Sequence, residues 1–256
     1  MYLGSRPRNR RSSPWRVLTL LILIGIALYV LFQVRQEPVE SVVVPTPTPT
    51  RHPSSYFTEA EELYQQGDLR GAIAAYERAL ELDPGRIEAR INLARLLALD
   101  GRTSEAVQIA ERAVDRAPEN VRAWAILGMT YDWHGQVDRA IEACGHAIDL
   151  TPDHAEAHAY LAEAHVDAGN WAEATEIANK ALDLDGNSVD VQRNYGYVME
   201  VQGNYTAAIE AYKRALEIHP NLAYLHIALG NNYLALGDVG AALESFQRAT
   251  EVDPNS

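Results

Sequence analysis

The chain is poor in the residues that most catalytic, redox and disulfide-stapled proteins rely on. Its 256 residues include a single cysteine, Cys144, so no disulfide can form within the chain. That cysteine is also remote from the one long apolar run, at 17–34, so no lipid-modified cysteine adjoins that run. The phosphate-cradling patterns G-x-G-x-x-G and G-x-x-x-x-G-K-[ST] do not occur, which removes the common nucleotide-binding classes. Asp132 and His134 sit two apart and, on a helix, do not face each other. No set of residues assembles a nucleophile, a base and an oxyanion site. His154, His158 and His165 lack a cysteine or carboxylate to complete a ligand set, and they read as packing histidines. We therefore expect no catalytic residue, no cofactor and no metal.

Acidic residues are missing from the first sixteen positions, where Arg6, Arg8, Arg10, Arg11 and Arg16 give +5. The rest of the chain reverses that sign. Residues 53–256 hold 15 basic and 33 acidic residues, a net −18, within an overall charge of −13. A surface of that sign repels phosphate backbones, so no nucleic acid is expected as a partner. It suits solubility first and a basic or neutral polypeptide partner second.

What the chain does have is a period. Gly67, Gly101, Gly135, Gly169, Gly203 and Gly237 are each 34 residues apart. So are Ala72, Ala106, Ala140, Ala174, Ala208 and Ala242, and likewise Ala79, Ala113, Ala147, Ala181, Ala215 and Ala249. Pro84, Pro118, Pro152, Pro220 and Pro254 keep the same step, with Gly186 standing in once. A fixed period of this length signals a stack of one supersecondary unit. Within 121–154, Trp124, Leu127, Gly128 and Tyr131 recur at three and four, the face of one helix. Gly135 suits a left-handed helix end, and Ala140, Cys144 and Ala147 mark the buried stripe of a second helix. Thr151-Pro152 stops it, because proline has no N–H and disfavours helix in the residue before it. The unit is a pair of antiparallel helices whose small residues allow close approach of their axes. The fold class expected is all-α, an α-solenoid of six such hairpins.

These residues resemble the tetratricopeptide repeat (TPR) family. Six repeats fit without a gap, at 53–86, 87–120, 121–154, 155–188, 189–222 and 223–256. The third is nearest the family pattern, and the sixth follows with Leu229, Gly230, Tyr233, Ala242, Phe246, Ala249 and Pro254. Departures fall at Glu59, at Arg90 and Ala110, and at His158 and His165, where large apolar or aromatic residues are usual. The resemblance implies a partner-binding scaffold, not an enzyme. It places a peptide-binding groove on the first helices, with Tyr64, Asn92, Arg95, Arg122, Met129, Trp133, Tyr160, Glu163, Arg193, Asn194, Tyr197 and Asn231 on or near it. Asparagine can bond a peptide backbone, arginine can pair a carboxylate, and aromatic rings add apolar area. The only lysines, Lys180 and Lys213, phase onto second helices, so the Lys and Asn clamp that some members use for an acidic chaperone tail is absent.

The apolar run at 17–34 carries no charge and holds thirteen Leu, Ile, Val and Phe residues. As a helix it spans roughly 27 Å, close to the hydrocarbon thickness of a bilayer, and favours insertion by roughly 4–7 kcal/mol. The arginines before it set the orientation: an N-terminal tail (1–16) in the cytoplasm and the repeats outside it, periplasmic or extracellular, in a bacterial setting. A cleaved signal peptide is the competing reading, with Val39-Glu40-Ser41 its only weak cleavage site. The Pro/Thr-rich stretch 35–52 reads as an extended spacer reaching roughly 50 Å. The whole then reads as a single-pass membrane-anchored scaffold for a protein or peptide, in envelope assembly or secretion. Two other readings compete. One is a structural protein that self-associates through its last repeat, where Leu243, Phe246 and Val252 leave an apolar end. The other is an accessory subunit of a membrane enzyme.

Overall fold

The computed structural model describes residues 14–36 and 52–253, in two compact units, Met1–Thr50 and Arg51–Ser256. Most of the arginine-rich tail, most of the spacer and Pro254 lie outside the described residues. The first unit contributes one helix, α1 (Pro14–Gln36). It includes the uncharged run, and a 20-residue stretch from Pro14 to Gln33 is long and apolar enough to cross a membrane. Its side chains are exposed from Pro14 to Gln33.

The second unit is a succession of helical hairpins: α2 (Pro53–Gln66) with α3 (Leu69–Leu82), α4 (Ile87–Leu99) with α5 (Thr103–Arg116), and α6 (Val121–Trp133) with α7 (Val137–Leu150). Then come α8 (Ala155–Asp167) with α9 (Trp171–Leu184), α10 (Val189–Val201) with α11 (Tyr205–Ile218), and α12 (Ala223–Ala235) with α13 (Val239–Val252). No strand occurs among the described residues. The six periodic glycines all lie at the hairpin turns with φ between 76° and 88°, the left-handed region that L side chains avoid. At the first turn, Gly67 N–H bonds the Tyr64 carbonyl at 3.0 Å and Asp68 N–H bonds the Leu63 carbonyl at 2.9 Å, satisfying the last turn of α2. Second helices are started by side chains such as Asp68 and Asp238, which accept from the N–H three residues on at 2.8 and 3.0 Å.

Hairpins pack by matched sizes. A Cβ added to Gly196 would lie 2.7 Å from Tyr212 Cε1, and one on Gly230 would lie 2.5 Å from Phe246 Cε1. A Cβ on Gly128 would collide with Cys144 Sγ. Where the first helix carries Ala94 or Ala162, the residue sixteen positions on is the small Ala110 or Ala178. Thus Ala110 is no gap in the pattern; it meets a neighbour with a Cβ. The first hairpin differs, with Tyr76 opposite Ala60 and edge-on to Phe57 at 5.5 Å.

The junctions between hairpins share one device. Arg90 Nη2 donates to the Pro84 carbonyl at 2.7 Å, and Trp124 Nε1 to Pro118 at 2.7 Å. His158 Nε2 pairs with the Pro152 carbonyl at 2.8 Å, Gln192 Nε2 donates to Gly186 at 2.6 Å, and His226 Nε2 pairs with Pro220 at 2.9 Å. These five residues, at a 34-residue step, each offer a side-chain N–H to the carbonyl six positions back. Arg90 and His158 therefore fill the same post as Trp124, and the imidazole of His158 is fixed as the Nε2–H tautomer by its carbonyl acceptor.

First helices of successive repeats touch directly, α4 with α6, α6 with α8 and α8 with α10, so they form the inner side of the curve. One core runs from Ala60 to Ala164 and a second from Ala162 to Leu229. Tyr64 packs against both. It can do so because the curve brings the first hairpin against the last two. Asn221 Nδ2 donates to the Gln65 carbonyl at 2.9 Å across 156 residues. A Cβ on Gly67 would lie 2.7 Å from the Asn221 carbonyl and 2.9 Å from Val252 Cγ1. Val252, expected at an uncovered apolar end, therefore lies against the turn of the first hairpin, while Leu243 stays exposed.

Candidate functional site

The inner side carries two groups of polar residues. The first surrounds a cavity of about 320 Å³ lined by Glu61, Asn92, Arg95, Arg122, Asp190 and His219, among others. Asn92 Nδ2 donates to Glu61 Oε1 at 2.9 Å, and Asn92 Oδ1 accepts from Arg122 Nη2 at 3.0 Å. Arg122 also pairs with Glu88. These partners lie 30, 31 and 34 residues apart, so each link crosses one repeat boundary. Arg95 reaches further. Its Nη1 donates to Tyr64 Oη at 3.1 Å and its Nη2 to Asp190 Oδ1 at 2.8 Å, joining the second repeat to the fifth. Burial pushes the Asp190 carboxyl up, but Arg95, through charge and hydrogen bond, more than reverses this and holds it below the usual range. Burial raises the Tyr64 phenol. Burial, then the charge of Arg95, lowers His219, whose ring stands edge-on to Tyr64 at 4.8 Å.

The second group is held by α6, α8 and α10. Glu163 Oε1 accepts from Trp133 Nε1 at 3.0 Å and from Arg193 Nη1 at 2.8 Å. The Arg193 guanidinium lies over the Trp133 ring at 4.9 Å and donates to Asn194 Oδ1 at 2.9 Å. Burial lowers the Arg193 pKa, and Glu163 overrides it upward, so the ion pair is charged in the fold. Asn194 Nδ2 donates to the Asp190 carbonyl at 2.7 Å, which links the two groups. Tyr197 Oη donates to Asp167 Oδ1 at 2.7 Å. Asp132 sits beside them with both carboxylate oxygens buried and unpartnered. Burial first, then Glu163 and Asp167, raise its pKa from 3.8 to about 8, so at neutral pH it is mostly a neutral acid.

The residues expected in a groove thus occupy three environments. Arg122 and Asn231 are exposed, and Tyr64, Asn92, Arg95, Trp133 and Tyr197 are half-buried. Met129, Tyr160, Glu163, Arg193 and Asn194 are buried, and their groups are spent on packing or on each other. Glu61, Asp190 and His219 line the same cavity and were not singled out by sequence, and Asp132 was considered only as a pair with His134. Glu61 could have been found as the residue one period before Arg95. Asp190 could not, because its partner is 95 residues away. His158 and His165 are buried. Among the described residues no group of three or more His, Cys, Asp or Glu is placed to hold a metal.

Three family models, each described as a tetratricopeptide repeat, match this chain: one at 63–129 and 134–193, a second at 105–154, and a third at 188–255. The protein belongs to the tetratricopeptide repeat family. A thermophilic TPR protein of Thermus thermophilus, known from its crystal structure, superposes with a TM-score of 0.59. The two share 21% identity over 71% of this chain and 99% of that one, a likeness of fold. No curated protein matches the sequence. Membership points to an interaction scaffold, because stacked hairpins present a continuous concave surface.

Proposed function

We propose that this TPR protein is a membrane-tethered scaffold whose inner face captures a polypeptide outside the cytoplasm. The observation that supports the reading is the run of first helices, on which Arg122, Asn92, Trp133, Tyr197 and Asn231 stand half-buried or exposed. Those side chains offer guanidinium, amide and aromatic groups, the kinds that bind backbone, carboxylate and apolar side chains of an extended segment. Support for the tether comes from the 20-residue apolar stretch of α1 and the five arginines in the first sixteen residues. Envelope assembly or secretion fits a binding module carried there.

Photocrosslinking in membranes tests the groove. A photoreactive residue at Arg122 or Tyr197 should capture discrete polypeptides, and the same residue at outward-facing Glu176 should not. Capture of lipid alone, or equal capture at the three positions, rejects the groove. Maleimide labelling of a cysteine introduced at Glu251 tests sidedness: in intact cells the label should enter without lysis, and labelling only after lysis reverses the orientation.

The second reading, self-association, draws on the exposed Leu236, Val239 and Leu243 of the last hairpin. Sedimentation equilibrium separates the two. A dimer that Leu243→Glu dissociates favours pairing.

A further inference from the structure

The TPR array does not remain an open spiral. Three contacts span its seam: the Asn221–Gln65 hydrogen bond at 2.9 Å, the edge-on Tyr64–His219 rings at 4.8 Å, and the Arg95–Asp190 ion pair at 2.8 Å. The Gly67 turn leaves no room for a side chain against Asn221 and Val252. What the seam encloses is small. The inner cavity of about 320 Å³ lies at the bottom of the range that holds a drug-sized ligand, roughly 300–1,000 Å³, and is too small for a peptide of several residues. The seam is also imperfectly packed. A second cavity of about 220 Å³ opens along it between Leu69, Leu99 and Tyr224. Along the seam, both ring nitrogens of His219, on the inner cavity, and the Tyr224 hydroxyl, on the second, are buried without a hydrogen-bond partner.

We propose that this seam is a latch that closes the polypeptide-binding groove, and that protonation of His219 releases it. The proposal rests on the groove reading above and adds its control. A neutral imidazole suits the site, where its ring stands edge-on to Tyr64 at 4.8 Å. An imidazolium there is buried, has no side-chain hydrogen-bond partner and stands near the Arg95 guanidinium, and these outweigh the backbone carbonyls of Tyr64 and His219 and the Asp190 charge that favour it. The charged and titratable groups around the same cavity are Glu61, Tyr64 and Tyr76 from α2 and α3, and Arg95 and Arg122 from α4 and α6. His154, Glu156 and Tyr160 come from the start of α8, and Asp190 from α10. The acids nearest in kind to a partner for a protonated His219 are engaged: Asp190 by Arg95, and Glu61 by Asn92 and Tyr76. The sign follows. Closure depresses the imidazole pKa, so the latch holds above the ordinary imidazole range and weakens as pH falls below it.

The full chain in detergent micelles, with spin labels on cysteines introduced at Gln66 and Glu251, reports the gap. At about pH 7.5 a short, narrow distance distribution is expected. At about pH 5, acidic to the ordinary imidazole pKa, a longer and broader one should dominate. His219→Phe should keep the short distance at both pH values, and Asn221→Ala with Tyr64→Ala should show the long one at both, with helix content unchanged. A distance that does not move with pH in the wild type, or that moves equally in His219→Phe, overturns the latch. Photocapture at Arg122 in the open variant gives the separate arm. A several-fold rise over the closed protein supports control of the groove; equal capture in both, with the distance still shifting, keeps the groove and overturns its control by the seam, and capture in neither rejects the groove.

Discussion

Asp132 gives the TPR array a pH dependence that one substitution removes. Its carboxyl is 4% exposed, neither oxygen meets a donor, and Glu163 and Asp167 lie nearby. The acid holds its proton up to about pH 8 in the fold and loses it near 3.8 when unfolded. Between those values the folded chain binds the extra proton, so stability falls as pH rises. Each pH unit removes about 1.4 kcal/mol, which comes to ~2.7 kcal/mol from pH 5 to 7 and ~4 kcal/mol accumulated by pH 7. Asp132→Asn keeps the shape and removes the titration. Burying an amide adds a constant offset of about 1–3 kcal/mol, so the slope of the difference is the signature and its absolute value is not. The assay is denaturant unfolding of the full chain in detergent, followed by helical circular dichroism at several pH values. The stability of the wild type minus that of Asp132→Asn should decline by ~2.7 kcal/mol from pH 5 to 7 and level off above pH 8. Parallel pH profiles would show that Asp132 ionises normally in the fold, and the account of its environment would be wrong.

Three further outcomes follow from the packing. Gln192→Leu should destabilise by about 1–3 kcal/mol in thermal or chemical unfolding, because it strands the Gly186 carbonyl, whereas Gln192→His should recover most of the loss by supplying another N–H. Glu163→Gln should cost about 3–5 kcal/mol by leaving the buried Arg193 poorly paired, and Glu163→Gln combined with Arg193→Met should be more stable than Glu163→Gln alone; equal stabilities would show that the pair is solvated. Cys144 should resist iodoacetamide in the native chain and react only on unfolding, since it is fully buried and burial, above all, pushes its thiol up; mass spectrometry of the alkylated protein reads this directly.

The regular part of this molecule was legible because it is local. The glycine period marked the left-handed turns, and the prolines marked the ends of second helices, since both act through backbone geometry that one residue imposes. Helical phase grouped Asn92, Arg95 and Arg122, and these three line the inner cavity. What phase could not tell was accessibility. Tyr160, Glu163, Arg193 and Asn194 are buried, the last three because side chains of the adjacent first helices and of their own helix close over them. Arg95 illustrates the limit. Its main partner is Asp190, and nothing within one period announces that contact. The departures at Arg90 and His158 are visible in the sequence, but their role is not. Side-chain N–H is the property they share with Trp124, and a family pattern written in terms of size and ring hides it.

The N–H staples at the junctions and the contact between the two ends place opposite demands on length. A staple is self-contained: donor and carbonyl are six residues apart, so a 34-residue unit duplicated or deleted carries its own fastening with it. Nothing at the junctions keeps tally. The closure does, since one hairpin inserted or lost between them would carry Asn221 out of register with Gln65. An array free to grow by tandem duplication at every joint is thus held to a fixed count along the arc that joins these two residues.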